Sequence, residues 1–223
     1  SNTNVIKTNH LDSHSSMRIL GVVIVTLAGL FYCYEYLLRV SPSVMFNPLM
    51  SYYGISATAI GFLSASYYYA YTPMQLFVGV LIDYFGAKKI LCFAIMACIV
   101  GCILFSGTHL LFMAFVGRFL IGFGSAFAYV GSLTLASVWL PRKYFSYYTA
   151  LINSLGMFGA MVGNFEIARI IHRVGWRYMM MLGAVIGAIL LILFILVVKK
   201  PADVVKADRP INHLLKQWFD VAL

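Results

Sequence analysis

Glu35 and Arg39 stand four residues apart in an otherwise apolar stretch, so on a helix they share one face. A carboxylate so placed can take up and release a proton, and a guanidinium can grip an anion. The plainer alternative is a mutually neutralising pair that only holds the helix. Arg118 is the third charge in apolar surroundings. Arg118, Gly122, Ser125, Tyr129 and Ser132 follow one another at helical steps of four and three, a continuous polar and small face. Ser64, Tyr68, Tyr71 and Gln75 repeat the pattern with Thr72 beside them, and Asn153, Gly156, Ala160 and Gly163 make a third stripe. Small residues let helices approach closely, so the glycines read as packing. Arg118, Gln75 and Asn153 read as lining a cavity. Tyr67 to Tyr71 lie in mid-run, whereas Tyr52, Tyr53, Tyr144, Tyr147 and Tyr148 lie near run ends, where tyrosine anchors to a membrane interface.

The elements that carry these residues follow from composition. Of 223 residues 62% are apolar and 10% charged, against about 25% charged in an average soluble domain. The mean hydropathy is +0.89. Water is therefore excluded as the main solvent. A membrane-crossing helix needs about 20 mostly apolar residues. Six runs meet that description: 19–44, 57–82 with Ser56 as N-cap, 90–106, 110–140, 144–165 and 178–198. The expected fold is an all-α integral membrane protein of six transmembrane helices. The first run is too long for a signal-peptide core and lacks a small-residue cleavage site. Short connections at 51–56 and 107–109 force neighbouring spans side by side. Spans one, two, four and five carry the polar or small stripes; three and six carry almost none, so four helices line a path and two support it.

The net charge is +9. Most of the excess lies in short loops, which makes it a topology signal rather than a nucleic-acid footprint. Lys7, Arg18, Lys88, Lys89, Arg142, Lys143, Lys199, Lys200, Lys206, Arg209 and Lys216 fall on one side, and Arg169, Arg173 and Arg177 on the other. Both termini are expected in the cytoplasm, with the inner (plasma) membrane as the location. The expected organisation is a cytoplasmic tail over 1–17, a transmembrane domain over 18–200, and a cytoplasmic linker and amphipathic helix over 201–223. Ile211, Leu214, Leu215, Trp218, Phe219 and Ala222 supply the apolar face of that helix. It lies on the membrane surface, or else caps the bundle or leads into a further span.

The segment after the second run reads Gly79-Val80-Leu81-Ile82-Asp83-Tyr84-Phe85-Gly86-Ala87-Lys88-Lys89. It resembles the signature of the major facilitator superfamily: Gly, Asp four residues later, Gly, then basic residues, between helices two and three. Arg118-Phe119-Leu120-Ile121-Gly122-Phe123-Gly124 resembles the fourth-helix motif, and Gly175-Trp176-Arg177 before the sixth run is common there too. The resemblance covers residues 18–200. Tyr84 and Ala87 stand where basic residues often occur, and span five lacks the Gly-Pro pair of the drug-antiporter branch. The resemblance implies an N-terminal six-helix half built as two inverted three-helix repeats, with a missing C-terminal half as its partner. A faint echo between Gly79 to Lys88 and Gly163 to Arg177 fits such inversion. It further implies a cytoplasmic gate at Gly79, Asp83, Gly86, Lys88 and Lys89, in which Asp83 latches to the lysines; a solvated turn is the alternative.

The expected function is secondary transport, by uniport or proton symport with alternating access, of a small polar solute. Two in-membrane arginines tilt the solute toward an anion or zwitterion. Candidate contacts are Glu35, Arg39, Tyr68, Tyr71, Gln75, Arg118, Tyr129 and Asn153. A six-helix receptor, assembly factor or regulatory remnant is the alternative. No nucleophile–base cluster suggests an enzyme, no Gly-rich segment ending in Lys-Ser/Thr suggests ATP coupling, and no cofactor is expected. The four cysteines (Cys33, Cys92, Cys98 and Cys102) and the five histidines form no metal-ligand spacing.

Overall fold

Apolar runs in this chain become helices because only a helix satisfies its own backbone groups away from water. The computed structural model describes residues 2–198, with side chains from Arg18 onward. The linker and amphipathic helix expected over 201–223 lie outside the described residues. Among the described residues the helices group into six columns in chain order. The first is α1 (Asn2–Tyr53), the second α2 (Ala57–Gln75) with α3 (Val78–Phe85), the third α4 (Ala87–Gly107), and the fourth α5 (Leu111–Ser125) with α6 (Ala128–Trp139). A 3₁₀ turn at Arg142–Tyr144 leads to the fifth, made of α7 (Phe145–Val162), a π-helical segment (Gly163–Ile167) and α8 (Ala168–Val174). The sixth is α9 (Trp176–Val197).

The first column outruns the expected 19–44 at both ends, and Pro42 and Pro48 lie within it without ending it. Ser56 caps α2 as expected, its hydroxyl accepting from the Ala59 amide at 3.3 Å. Columns two and four are each interrupted by one tightened turn. Leu76 and Phe77 bond back to Pro73 and Met74, and Phe127 bonds back to Gly124. Pro73 lies inside α2, three residues before the first interruption, and its carbonyl accepts the tightened bond from Leu76. By length and apolarity four stretches can cross a membrane: Arg18–Tyr53, Ala87–Gly107, Leu111–Trp139 and Trp176–Val197. Columns two and five fall short of the six-span expectation for a physical reason. Tyr67, Tyr68, Tyr69, Tyr71, Thr72 and Gln75 dilute the apolarity of α2. Ser146, Tyr147, Tyr148, Asn153 and Ser154 do the same for α7.

α1 runs through the middle, packed on α6, α7 and α9; α2 packs on α5, and α4 on α5 and α9. Gly156 and Gly163 of α7 and the π segment sit against Tyr32 and Val40 of α1, so that stripe packs helices. Two turns match across the chain. Gly86 (φ 86, ψ 141) ends α3 and starts α4, and Gly175 (φ 89, ψ 160) ends α8 and starts α9. Each donates its amide to the carbonyl four residues back, Ile82 or Ile171. A positive φ of this kind favours glycine.

At the Tyr52 end of the bundle, three connections are tied together. Arg177 Nη2 donates to the Tyr52 hydroxyl (2.6 Å) and the Thr108 carbonyl (2.7 Å). Its guanidinium lies 4.4 Å from the Tyr52 ring, and Tyr52 also hydrogen-bonds His109. Trp176, buried beneath, meets Tyr52, Tyr53 and Phe105 edge-on or tilted.

Candidate functional site

Four side chains of α1 form one row: Tyr32, Glu35, Tyr36 and Arg39. Glu35 lies near the middle of the Arg18–Tyr53 stretch and is fully buried. Its Oε1 accepts from Arg39 Nε at 2.8 Å and lies 2.7 Å from Arg39 Nη2. The same oxygen accepts the Tyr67 hydroxyl of α2. The second oxygen, Oε2, is buried without a hydrogen-bond partner. Arg39 is the partly open member of the pair, 18% exposed. Its guanidinium lies 4.6 Å from the Tyr36 ring and 4.7 Å from the Tyr71 ring, and Nε also reaches the Tyr67 hydroxyl at 3.1 Å. The cation is thus held by one carboxylate and a box of aromatic faces, an arrangement worth more out of water than in it.

Arg118 of α5 also lies against Tyr67, its guanidinium 4.7 Å from that ring. It is buried, yet it forms no ion pair among the described residues. Nη1 donates to the Leu38 carbonyl (2.6 Å) and Nη2 to the Arg39 carbonyl (2.8 Å). One turn further along α5, Gly122 lies against the Tyr67 backbone. The absence of a side chain there lets α5 bring Arg118 to α1 past α2.

The other expected residues are placed as follows. Tyr71 is half-buried beside Arg39, stacked on Tyr67 at 5.5 Å. Tyr68 is exposed, meeting the Tyr67 ring edge-on at 5.0 Å. Tyr129 is half-buried, its ring 5.2 Å from Tyr32, which itself bonds Tyr36. Gln75 is exposed, and its amide donates to the Ala126 carbonyl at 3.2 Å, joining the interruptions of columns two and four. Asn153 is exposed on α7, away from the pair. Arg39, Tyr71 and Arg118 therefore converge on Glu35, with Tyr129 reaching the row through Tyr32, while Tyr68, Gln75 and Asn153 stay outside that cluster. Tyr67 is the member that sequence reasoning passed over: the stripe on α2 was drawn through Tyr68, one position away. Tyr36 was missed too, although its helical spacing from Arg39 was a usable signal.

In the loop motif, Gly79, Asp83 and Lys89 are exposed, and Gly86 makes the positive-φ turn. The expected latch differs from what forms. Among the described residues Asp83 makes no ion pair with Lys88 or Lys89. Lys88 instead donates to the Ile195 carbonyl (3.1 Å) in the last turn of α9, where a helix presents free carbonyls and favours a cation.

The chain is 25% identical over 155 residues to the probable galactarate/D-glucarate transporter GarP of Escherichia coli (strain K12), covering 67% of this chain and 35% of that protein. It is 28% identical over 183 residues to the probable sulfoacetate transporter SauU of Cupriavidus necator, covering 81% and 39%. The chain thus spans between a third and two-fifths of the length of these relatives. Among solved structures, the proton:xylose symporter XylE bound to 6-bromo-6-deoxy-D-glucose matches with a TM-score of 0.68 at 19% identity, over 82% of this chain and 45% of that one. That likeness is one of fold. The profile described as Major Facilitator Superfamily matches residues 21–222. The family consists of transporters rather than enzymes, and its members are multi-pass membrane proteins. The chain belongs to the major facilitator superfamily.

Proposed function

We propose that this chain forms the N-terminal half of a secondary transporter for a small organic anion, coupled to protons through Glu35. The observation that carries the reading is the charge of the buried cluster. One carboxylate, Glu35, faces two guanidiniums, Arg39 and Arg118, so the cluster holds a formal charge of +1. Unbalanced charge is costly inside a membrane, and an anionic solute would balance it. Arg39 is the group able to meet that solute, because it is the partly open one, while both terminal nitrogens of Arg118 are committed to backbone. Tyr36 and Tyr71 flank it, Tyr129 adjoins the row through Tyr32, and the exposed Tyr68, Gln75 and Asn153 lie where a facing C-terminal half would meet them. GarP and SauU carry carboxylate and sulfonate solutes in their names, which fits this sign of charge.

The matched Gly86 and Gly175 turns support two inverted three-helix repeats, columns one to three and four to six. The excess of Lys and Arg in the tails and in the connections on one side supports cytoplasmic termini. In this reading the Asp83 motif forms the inner gate, and one six-helix half alone has nothing to rock against.

The test uses the full-length transporter in vesicles, with labelled D-glucarate, sulfoacetate and a neutral sugar, D-xylose. Saturable uptake of an anionic solute, driven by an inward proton gradient, is expected. Arg39→Lys and Arg39→Ala should weaken solute affinity about tenfold or more, the loss of a charge-assisted bond. Glu35→Gln should abolish uphill uptake and leave solute-for-solute exchange. Uptake of the neutral sugar alone, indifferent to Arg39, would overturn the proposal, as would unaltered proton-driven accumulation by Glu35→Gln.

A further inference from the structure

Arg118 is a buried cation without an ion-pair partner among the described residues, which is an expensive arrangement unless something specific requires it. What it touches identifies the requirement. In an α-helix the amide of residue 42 bonds the carbonyl of residue 38. Residue 42 is proline, inside α1. It has no N–H to give, and its ring crowds that same carbonyl. The Leu38 carbonyl is therefore the one acceptor that Pro42 strands, and it lies deep in the bundle, where no water reaches it cheaply. Arg118 Nη1 donates to this oxygen at 2.6 Å, and Nη2 donates to the next carbonyl, Arg39, at 2.8 Å. The Ser41 hydroxyl, buried and on the same turn, donates to Leu38 as well at 2.8 Å. Two donors thus occupy the place of one missing amide.

The fork geometry of arginine suits two successive carbonyls, which a lysine ammonium cannot span as well. Tyr67 holds the other face of the guanidinium at 4.7 Å. We propose that Arg118 is a backbone clamp: it reaches from α5 to supply the hydrogen bond that Pro42 removes from the Leu38 carbonyl, grips the neighbouring Arg39 carbonyl as well, and so fixes α1 at its proline turn. The stretch so fixed includes Arg39 itself, and Glu35 lies on the turn before it. This inference does not depend on the transport reading, because its readout is local helix stability and not solute movement.

A thermodynamic cycle on the full chain in detergent tests it. Arg118→Met should lower the melting temperature by about 4–8 °C, the size of effect expected when two buried carbonyls lose a charged donor and Leu38 keeps only the Ser41 hydroxyl. Pro42→Ala returns the amide to Leu38. It should change the parent little and recover at least half of the loss in the double variant. Hydrogen exchange supplies the local readout. In Arg118→Met, the amides around residues 38–44 should exchange about tenfold faster while those of α4 stay protected, and Pro42→Ala should restore protection. If Arg118→Met yields no folded protein, folded yield becomes the readout, and the double variant must recover it. Losses that simply add, a double variant that also fails to fold, or exchange that rises equally in α4 would each overturn the clamp.

Discussion

Adding one methyl group at Gly122 should do more damage than its size suggests. A Cβ there would lie 2.1 Å from the Tyr67 carbonyl oxygen and 2.8 Å from its carbon. Ordinary contact needs about 3.4 Å, so α5 and α2 would have to part by roughly 1.3 Å. The obstacle is backbone, and no rotamer change relieves it. Overpacking of this kind costs about 1–3 kcal/mol, and the upper part of that range applies when nothing flexible can yield. For a chain of this length each kcal/mol moves the melting temperature by about 2–4 °C, so Gly122→Ala should lose about 4–12 °C. Parted helices also carry the Tyr67 hydroxyl away from Glu35 and stretch its 3.1 Å contact with Arg39 beyond hydrogen-bond reach. Gly61→Ala is the matched control. It lies within α2 with nothing within 4 Å of its added Cβ. Alanine there gains up to about 1 kcal/mol of helix propensity, so its melting temperature should hold or rise. The assay is thermal unfolding in detergent, followed by a thiol-reactive fluorophore that reports exposure of the buried Cys98 and Cys102. A Gly122→Ala protein that melts within about 1 °C of Gly61→Ala would refute the close-packing argument.

Arg177→Gln should cost about 1–2 kcal/mol through its lost bonds to Tyr52 and Thr108, read as a lower melting temperature. Tyr52→Phe in that background should add less than it does alone, and full additivity would mean that the two side chains are not coupled. Asp83→Asn should leave stability within about 0.5 kcal/mol, because among the described residues no ion pair is lost. In the complete transporter the same change should slow interconversion while sparing solute binding; equal loss of both would point away from a gating role.

Much of the architecture is legible in the residues because apolar run length, short connections and the Ser56 cap are local signals. The Glu35–Arg39 pair is legible for the same reason: both partners are side chains at helical spacing. Arg118 is different. Its partners are the carbonyls of Leu38 and Arg39, and a carbonyl has no side-chain signature; only Pro42, four residues past Leu38, hints that one is stranded. The interruption at Ala126 and Phe127 is equally silent, since both are ordinary helix residues. Tyr67 escapes because four tyrosines within five positions, residues 67 to 71, offer several plausible faces. Which of them turns inward depends on where Gly122 lets α5 settle. Asp83 and Lys88 look like partners along the chain, but α9, distant in sequence, brings its carbonyl end to Lys88 first.

The tie made by Arg177 has a consequence for biogenesis. A chain is made from its N-terminus, and Tyr52 and Thr108 precede Arg177 by 125 and 69 residues. Both therefore enter the membrane before the residue that joins them exists. Until α9 is synthesised, Tyr52 and Tyr53 can meet only His109 and Thr108, and the cation that ties both connections to the final column is missing. Ribosome-bound intermediates stalled before residue 177 should accordingly hold that rim half-tied and more open to proteolysis than in the finished chain, its last bonds forming when the final column arrives.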